Sequence, residues 1–250
     1  MYTLKKSLGQ HFLRDEGIVE RIIAALNEQS FQRLLEVGPG GGALTRHLIH
    51  LPGIDFAAVE LDDEKIAFLE KTWPAMAGKI IRGNILEIPL PFAEPFTVIG
   101  NFPYNISTQI MFRMLEWKHL VECVVGMFQK EVALRIAAGP NNKDYGILSV
   151  LTQAWFDVEY LFDVDEQAFQ PPPKVKSGVI RLVNKGNPYG ITNERKFFVL
   201  VKTAFGQRRK QLRNPLKAFF PPEVLQDELF SRRAENLSVQ DYVNLLEKMK

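Results

Sequence analysis

One cysteine stands among 250 residues, so no disulfide can close within the chain. Cys123 sits in the apolar run CVVGMF, where a thiol reads as a small buried hydrophobe rather than a nucleophile. Histidine is scarce too. His47 and His50 are three apart at helical spacing, but no carboxylate or cysteine completes a metal shell beside them, and no metal is expected. No apolar run approaches the length of a membrane span. The start, MYTLKKSLGQHFL, lacks the apolar stretch of a secretory leader, so a cytosolic protein away from membranes is expected. The sequons at Asn105 and Asn236 then carry no meaning. Low-complexity tracts and internal repeats are missing as well. What remains, 46% apolar and 24% charged, is the composition of an ordinary folded protein with room for one large domain and a small one.

Acid is absent from one long stretch. Residues 195–217, RKFFVLVKTAFGQRRKQLRNPLK, hold eight basic side chains and no Asp or Glu, interleaved with aromatics. The formal net charge of the chain is only +2, yet residues 186–250 carry 12 Lys/Arg against 7 Asp/Glu. Such a concentration points to a polyanionic partner, with Arg208, Arg209, Lys210 and Arg213 as candidate phosphate ligands. Lys5, Lys6 and Arg14 precede the first acid and make the start of the chain basic as well.

The first two-thirds alternates short apolar runs with helical spacings. RLLEVG (33–38), FAAVEL (56–61), KIIRG (79–83), FTVIG (96–100) and VECVVGMF (121–128) suit buried parallel strands. GALTRHLIHL, DDEKIAFLEKTW and STQIMFRMLEW read as the intervening helices, the last with Ser107 as N-cap. Met111 and Met114, at helical spacing, read as core. DVEYLFDV (157–164) and SGVIRLV (177–183) have no helix-length connection and are expected to pair as an antiparallel hairpin. The pattern predicts an α/β fold with a doubly wound, mostly parallel sheet. KGNPYG (185–190) reads as a linker, giving domains at 1–185 and 186–250. The second is expected to be helical, with a final helix capped by Ser238.

Two motifs fall where such a sheet binds ligands. In LLEVGPGGGALT, Gly38, Gly40 and Ala43 fit G-x-G-x-x-[GA] between a strand and a helix, and Glu60 follows 22 residues after Gly38. This suits close backbone approach to a nucleotide with a carboxylate on the ribose hydroxyls. Glu36 separates two readings: a pyrophosphate would be repelled beside it, whereas S-adenosylmethionine brings a sulfonium and an ammonium. The second motif, NFPY, ends the fourth strand. An adenine amine is a poor nucleophile because its lone pair is delocalised into the ring. Acceptors from the Asn101 side chain and the Phe102 carbonyl, the latter held by Pro103, could draw that nitrogen toward tetrahedral geometry. Tyr104 could stack on the base. His11 reads as a packing and hydrogen-bonding residue rather than a base.

The chain resembles the ribosomal RNA adenine dimethylase family nearly end to end. SLGQHFL, EVGPGGGALT, VELD, NFPYNIS, FQKEVALRIAAGPNNKDYGILSV, FQPPPKVKSGVIRL, AFGQRRKQLRNPL and RAENLSVQDY occur in the family's order. The resemblance implies a seven-stranded Rossmann-like methyltransferase domain with a helical RNA-binding domain. It further implies dimethylation of two adjacent adenines in a hairpin loop near the 3′ end of small-subunit rRNA, within an immature subunit, by a monomer. It places His11, Leu13, Gly38, Gly40, Glu36, Glu60 and Asn101 against S-adenosylmethionine. Phe169 would stack on the target base opposite Tyr104. Two positions depart from the family: Asn84 stands where Asp is usual, and Phe102 where Leu is commoner. Asn84 can still accept from the cofactor adenine's amino group. Other readings are weaker. GPNNKDYGILSV and PPPKV argue against the related large-subunit methylase, intact Glu60, Asn101 and Tyr104 against a non-catalytic RNA-binding factor, and Glu36 with NFPY against a dehydrogenase.

Overall fold

The computed structural model describes residues 11–250; Lys5, Lys6 and the first part of SLGQHFL lie outside the described residues. A two-residue strand, β1 (Phe12–Leu13), leads into α1 (Glu16–Asn27), whose N-cap Asp15 accepts from the Ile18 amide. Alternation follows: β2 (Arg33–Val37), α2 (Thr45–Leu48), β3 (Asp55–Glu60), α3 (Asp63–Thr72), β4 (Ile80–Arg82), β5 (Phe96–Asn101), α4 (Ser107–Glu116) and β6 (Val121–Gln129). Next come α5 (Lys130–Ala137), α6 (Ile147–Gln153), β7 (Phe156–Val164), β8 (Phe169–Gln170) and β9 (Ser177–Asn184), then α7 (Glu194–Gly206) and α8 (Val239–Glu247).

Seven strands form one sheet in the order β4-β3-β2-β5-β6-β9-β7, and β1 pairs separately with β8. The strands from β4 to β6 run parallel, and β9 joins β6 antiparallel. Because β2, β3 and β5 are parallel, Val37, Glu60 and Asn101 end on one edge of the sheet. The order reverses between β2 and β5, which opens a crevice at that edge. The predicted strands thus all form, each within a residue or so of its expected bounds. Leu34, Leu35, Val98, Ile99, Val124 and Val125 are fully buried, as continuous apolar runs in a doubly covered parallel sheet must be.

Two helix readings need correction. Ser107 is the first helical residue, not the cap: Ile106 occupies that position, and the Ser107 hydroxyl donates to the Tyr104 carbonyl at 3.2 Å. The glycine-loop helix shrinks to four residues, because the chain turns through Gly38, Gly40 and Gly42 at positive φ before Thr45.

The chain divides into two units by its packing. One comprises residues up to Ala133 with Glu159–Asn184; the other comprises Leu134–Val158 with Lys185–Lys250. The division at 185/186 therefore misassigns residues 134–158. Tyr145 is fully buried and its hydroxyl donates to the Leu237 carbonyl at 2.9 Å, while Trp155 packs edge-on against Phe197. Such long-range apolar partners leave no trace in local composition. In this second unit Asn193 caps α7 and Ser238 forms a capping box with Asp241. The expected helical run stops after α7: residues 207–222 form turns, with Pro215, Pro221 and Pro222 removing helix donors.

Candidate active site

The crevice at the carboxyl edge of β2, β3 and β5 encloses about 220 Å³. The glycine loop forms its floor. Gly38 and Gly40 take φ of +69° and +56°, where L side chains are strained, and a Cβ at Gly40 would lie 3.4 Å from the Phe12 ring, so the loop packs directly against β1. Every residue expected to hold the cofactor lines this space: His11, Leu13, Glu36, Gly38, Gly40, Glu60, Asn84 and Asn101.

Three polar side chains shape its nucleotide-sized interior. Glu60, at the end of β3, accepts from the Leu61 and Asp62 amides at 3.0 Å each and from the Gly40 amide at 3.3 Å, which fixes its carboxylate at the rim of the glycine loop. Glu36 is fully buried and accepts from the Thr45 hydroxyl at 2.7 Å. Burial pushes its carboxyl up to about 8; the Thr45 bond opposes this and the Glu60 charge adds to it. Asn84 accepts from the Leu86 amide and donates to Glu87, both at 3.1 Å. Its carbonyl oxygen keeps a second lone pair for a ligand amine.

The NFPY tetrapeptide forms the opposite wall. Asn101 donates through Nδ2 to the His11 carbonyl at 3.2 Å, which leaves Oδ1 as an acceptor. Phe102 turns its ring into the core, 4.9 Å from Phe128, and its amide donates to Met127 at 3.1 Å; the side chain is thereby an anchor for the main chain. Tyr104 is held at both ends. Its ring stacks on His11 at 5.6 Å and its hydroxyl hydrogen-bonds Ser177. Burial raises its phenol, with the Ser177 bond partly offsetting the rise, so the group stays neutral. His11 also bonds the Pro171 carbonyl through Nδ1 at 2.9 Å, and β1 pairs Leu13 with Phe169. The N-terminal strap is thus tied to both sides of the pocket.

Phe169 is a correction. It is buried among the apolar core residues and is not among those lining the crevice. Tyr104 therefore faces no Phe169 ring across the pocket. Thr45, Ser177, Lys65 and Phe12 were missed by sequence reasoning. Phe12 was legible as the residue between His11 and Leu13; the others carry no local signal.

The four basic candidates also separate. Arg208 bonds Glu235 at 2.7 Å and the Lys143 carbonyl at 2.5 Å, and Arg213 donates to the Phe230 carbonyl at 3.4 Å; both brace the second unit. Arg209 and Lys210 are exposed and, with Arg232 and Arg233, line a shallow polar depression there. Among the described residues no cluster of His, Cys, Asp and Glu could hold a metal, and no helix is long and apolar enough to cross a membrane.

The sequence model for the family described as Ribosomal RNA adenine dimethylase matches residues 1–250. This chain belongs to the ribosomal RNA adenine dimethylase family. Two relatives of this dimethylase are both named Ribosomal RNA small subunit methyltransferase A. That of Porphyromonas gingivalis is 47% identical over 247 residues, covering 96% of this chain and 95% of that protein. That of Cytophaga hutchinsonii is 46% identical over 245 residues, with the same coverages. Among solved structures, a dimethyladenosine transferase from Plasmodium falciparum matches this dimethylase with a TM-score of 0.83 at 25% identity, over 96% of this chain and 99% of that one. The 23S rRNA methyltransferase ErmE shares the fold, with a TM-score of 0.75 at 24% identity over 95% and 99%.

Proposed function

We propose that the protein transfers methyl groups from S-adenosylmethionine to the N6 amines of two adjacent adenines in a hairpin loop near the 3′ end of small-subunit rRNA, acting as a monomer on an immature subunit in the cytoplasm. The names of these two relatives support the small-subunit substrate. The observation that carries the chemistry is Asn101, whose Nδ2 is occupied by the His11 carbonyl so that Oδ1 is left to accept from an amine.

The pocket fits S-adenosylmethionine on two counts. A glycine loop held at positive φ lies beneath β1, and the Glu36 and Glu60 carboxyls border it beside Lys65, which suits a cation with ribose hydroxyls. Glu60 would hold the ribose, Asn84 the adenine amine, and Gly38, Gly40, His11 and Leu13 the methionine end beneath the strap. The cofactor supplies an activated methyl group on a sulfonium. The protein's own work is orientation. Asn101 Oδ1 and the Phe102 carbonyl accept from the two N–H groups of the target amine and draw its lone pair out of the ring plane. Tyr104, clamped between His11 and Ser177, offers a rigid face for the base. No strong base is required, since the methylated ammonium is acidic enough to lose its proton to water. Bases in RNA loops can splay out to reach such a wall.

The test offers radiolabelled S-adenosylmethionine together with immature small subunits, naked large-subunit rRNA and duplex DNA in parallel. Label on adjacent adenines of the small-subunit rRNA is expected; label confined to either other substrate rejects the reading.

A further inference from the structure

Glu36 is the one wholly buried carboxyl of the pocket floor that the proposed chemistry does not use. It is 1% exposed, and its hydrogen-bond partner is a neutral hydroxyl, Thr45 on α2. A carboxylate buried beside a neutral donor is strongly disfavoured unless a cation joins it. Among the described residues, no cation facing the pocket pairs with Glu36. Glu60 on β3 adds negative charge, and burial of Glu36 itself is the larger effect. Lys65 on α3 lines the same space, with its ammonium over the Phe12 ring at 5.5 Å, and is absent from the influences on Glu36. His11 on the strap is bound to Pro171, and Tyr104 is a neutral phenol. Burial and a neutral partner thus favour the protonated carboxyl at the pocket floor, and an incoming cation would favour its ionised form.

We infer that Glu36, held by Thr45, is a charge-reading residue: protonated in the free protein, it releases its proton to solvent when the sulfonium enters. It thereby favours the cationic methyl donor over the neutral thioether left after transfer. This rests on the methyl-donor reading above. Charge balances at each stage. The free site is neutral at Glu36, and the loaded site pairs one carboxylate with one sulfonium. Transfer of the methyl group removes the positive charge, leaving a buried carboxylate that takes a proton back from solvent. The neutral product is then held less tightly than the substrate, which drives release between the four methyl transfers that two dimethylated adenines require. The Thr45 hydroxyl donates to either form of the carboxyl, so no rearrangement of the floor is needed.

Two consequences are measurable without any turnover. S-adenosylmethionine and S-adenosylhomocysteine share the ammonium and the carboxylate and differ in the sulfonium, so their affinity ratio isolates the charge that Glu36 reads. Isothermal calorimetry across pH 6–9, in buffers of differing ionisation enthalpy, is expected to show about one proton released per S-adenosylmethionine bound at pH 6–7 and fewer with S-adenosylhomocysteine. The affinity ratio should climb toward tenfold per pH unit below pH 8 and flatten above it. Glu36→Gln, which keeps an acceptor for Thr45 and cannot ionise, is expected to lose both the proton release and the pH dependence of the ratio. A wild-type ratio independent of pH, with both ligands bound, overturns the inference and leaves the methyl-donor reading standing. Failure of S-adenosylmethionine to bind overturns both.

Discussion

Asn101 has two tasks on one amide group: its nitrogen is spent on the His11 carbonyl, and its oxygen is left for the target amine. Asn101→Ala removes the acceptor without touching Glu60 or the glycine loop. The single-turnover methylation rate is expected to fall by about 10²–10³, as when one oriented polar group is deleted from an active site, while calorimetry still detects cofactor binding. A near-normal rate would remove Asn101 from the chemistry. Glu36 bears on stability as well. Its carboxyl ordinarily titrates at 4.5 and here near 8, so the folded chain binds that proton more tightly than the unfolded chain. The stabilisation is present below pH 4.5 and is lost as pH rises through 8. Without cofactor, Glu36→Gln should therefore gain on wild type in Tm between pH 5 and 9, by a few degrees, in scanning calorimetry; a constant difference would argue that the carboxyl is ionised throughout. At this scale the sequence was legible wherever a functional residue borders a strand end, as Glu36, Glu60 and Asn101 do. The partners that fix Glu36, Tyr104 and Asn101, namely Thr45, Ser177 and His11, come from 9, 73 and 90 residues away in sequence and could not be paired from spacing. The burial of Phe169 was hidden for the same reason, since its pairing with Leu13 is a long-range one.

Among the elements, β5 and β6 decide where the NFPY wall stands. Gly126 on β6 lies against the Phe102 ring: a Cβ there would come within 2.4 Å of Phe102 and 2.7 Å of Phe128. Gly126→Ala is expected to cost about 1–3 kcal/mol by overpacking, and to displace the Phe102 carbonyl with the ring that anchors it. Denaturant melts should show the lost stability, and the variant should lose more kcat than cofactor affinity; an intact kcat would mean that the carbonyl is placed by Pro103 alone. The strands were readable because five apolar runs separated by helical spacings admit little else than a wound parallel sheet. The strap was not. A two-residue strand has no periodicity, and β1 exists only through its long-range pairing with β8 and its closeness to Gly40.

At the scale of the whole molecule, the acid-free stretch proved less uniform than its composition. Glu235, distant in sequence, neutralises Arg208, whereas Arg209, Lys210, Arg232 and Arg233 gather at one depression of the second unit. If these four grip rRNA phosphates, replacing them with Gln should flatten the dependence of log affinity on log salt by about 0.7–0.9 for each phosphate no longer neutralised, in filter binding to immature subunits. Arg208→Gln is expected to lower Tm and leave that slope nearly unchanged; a large slope change would return Arg208 to the RNA-binding face. The sheet order has a consequence for how the protein is made. The last strand synthesised, β9, does not add to an edge: it lies between β6 and β7, although β7 leaves the ribosome first. Until residue 184 has emerged, the nascent chain carries an open β6 edge bearing Val124, Val125, Met127 and Phe128, a bare apolar template for wrong pairing. Translation rate through residues 130–184 therefore sets how long this protein is exposed to aggregation, and slow codons there should lower its soluble yield more than the same codons placed after residue 190.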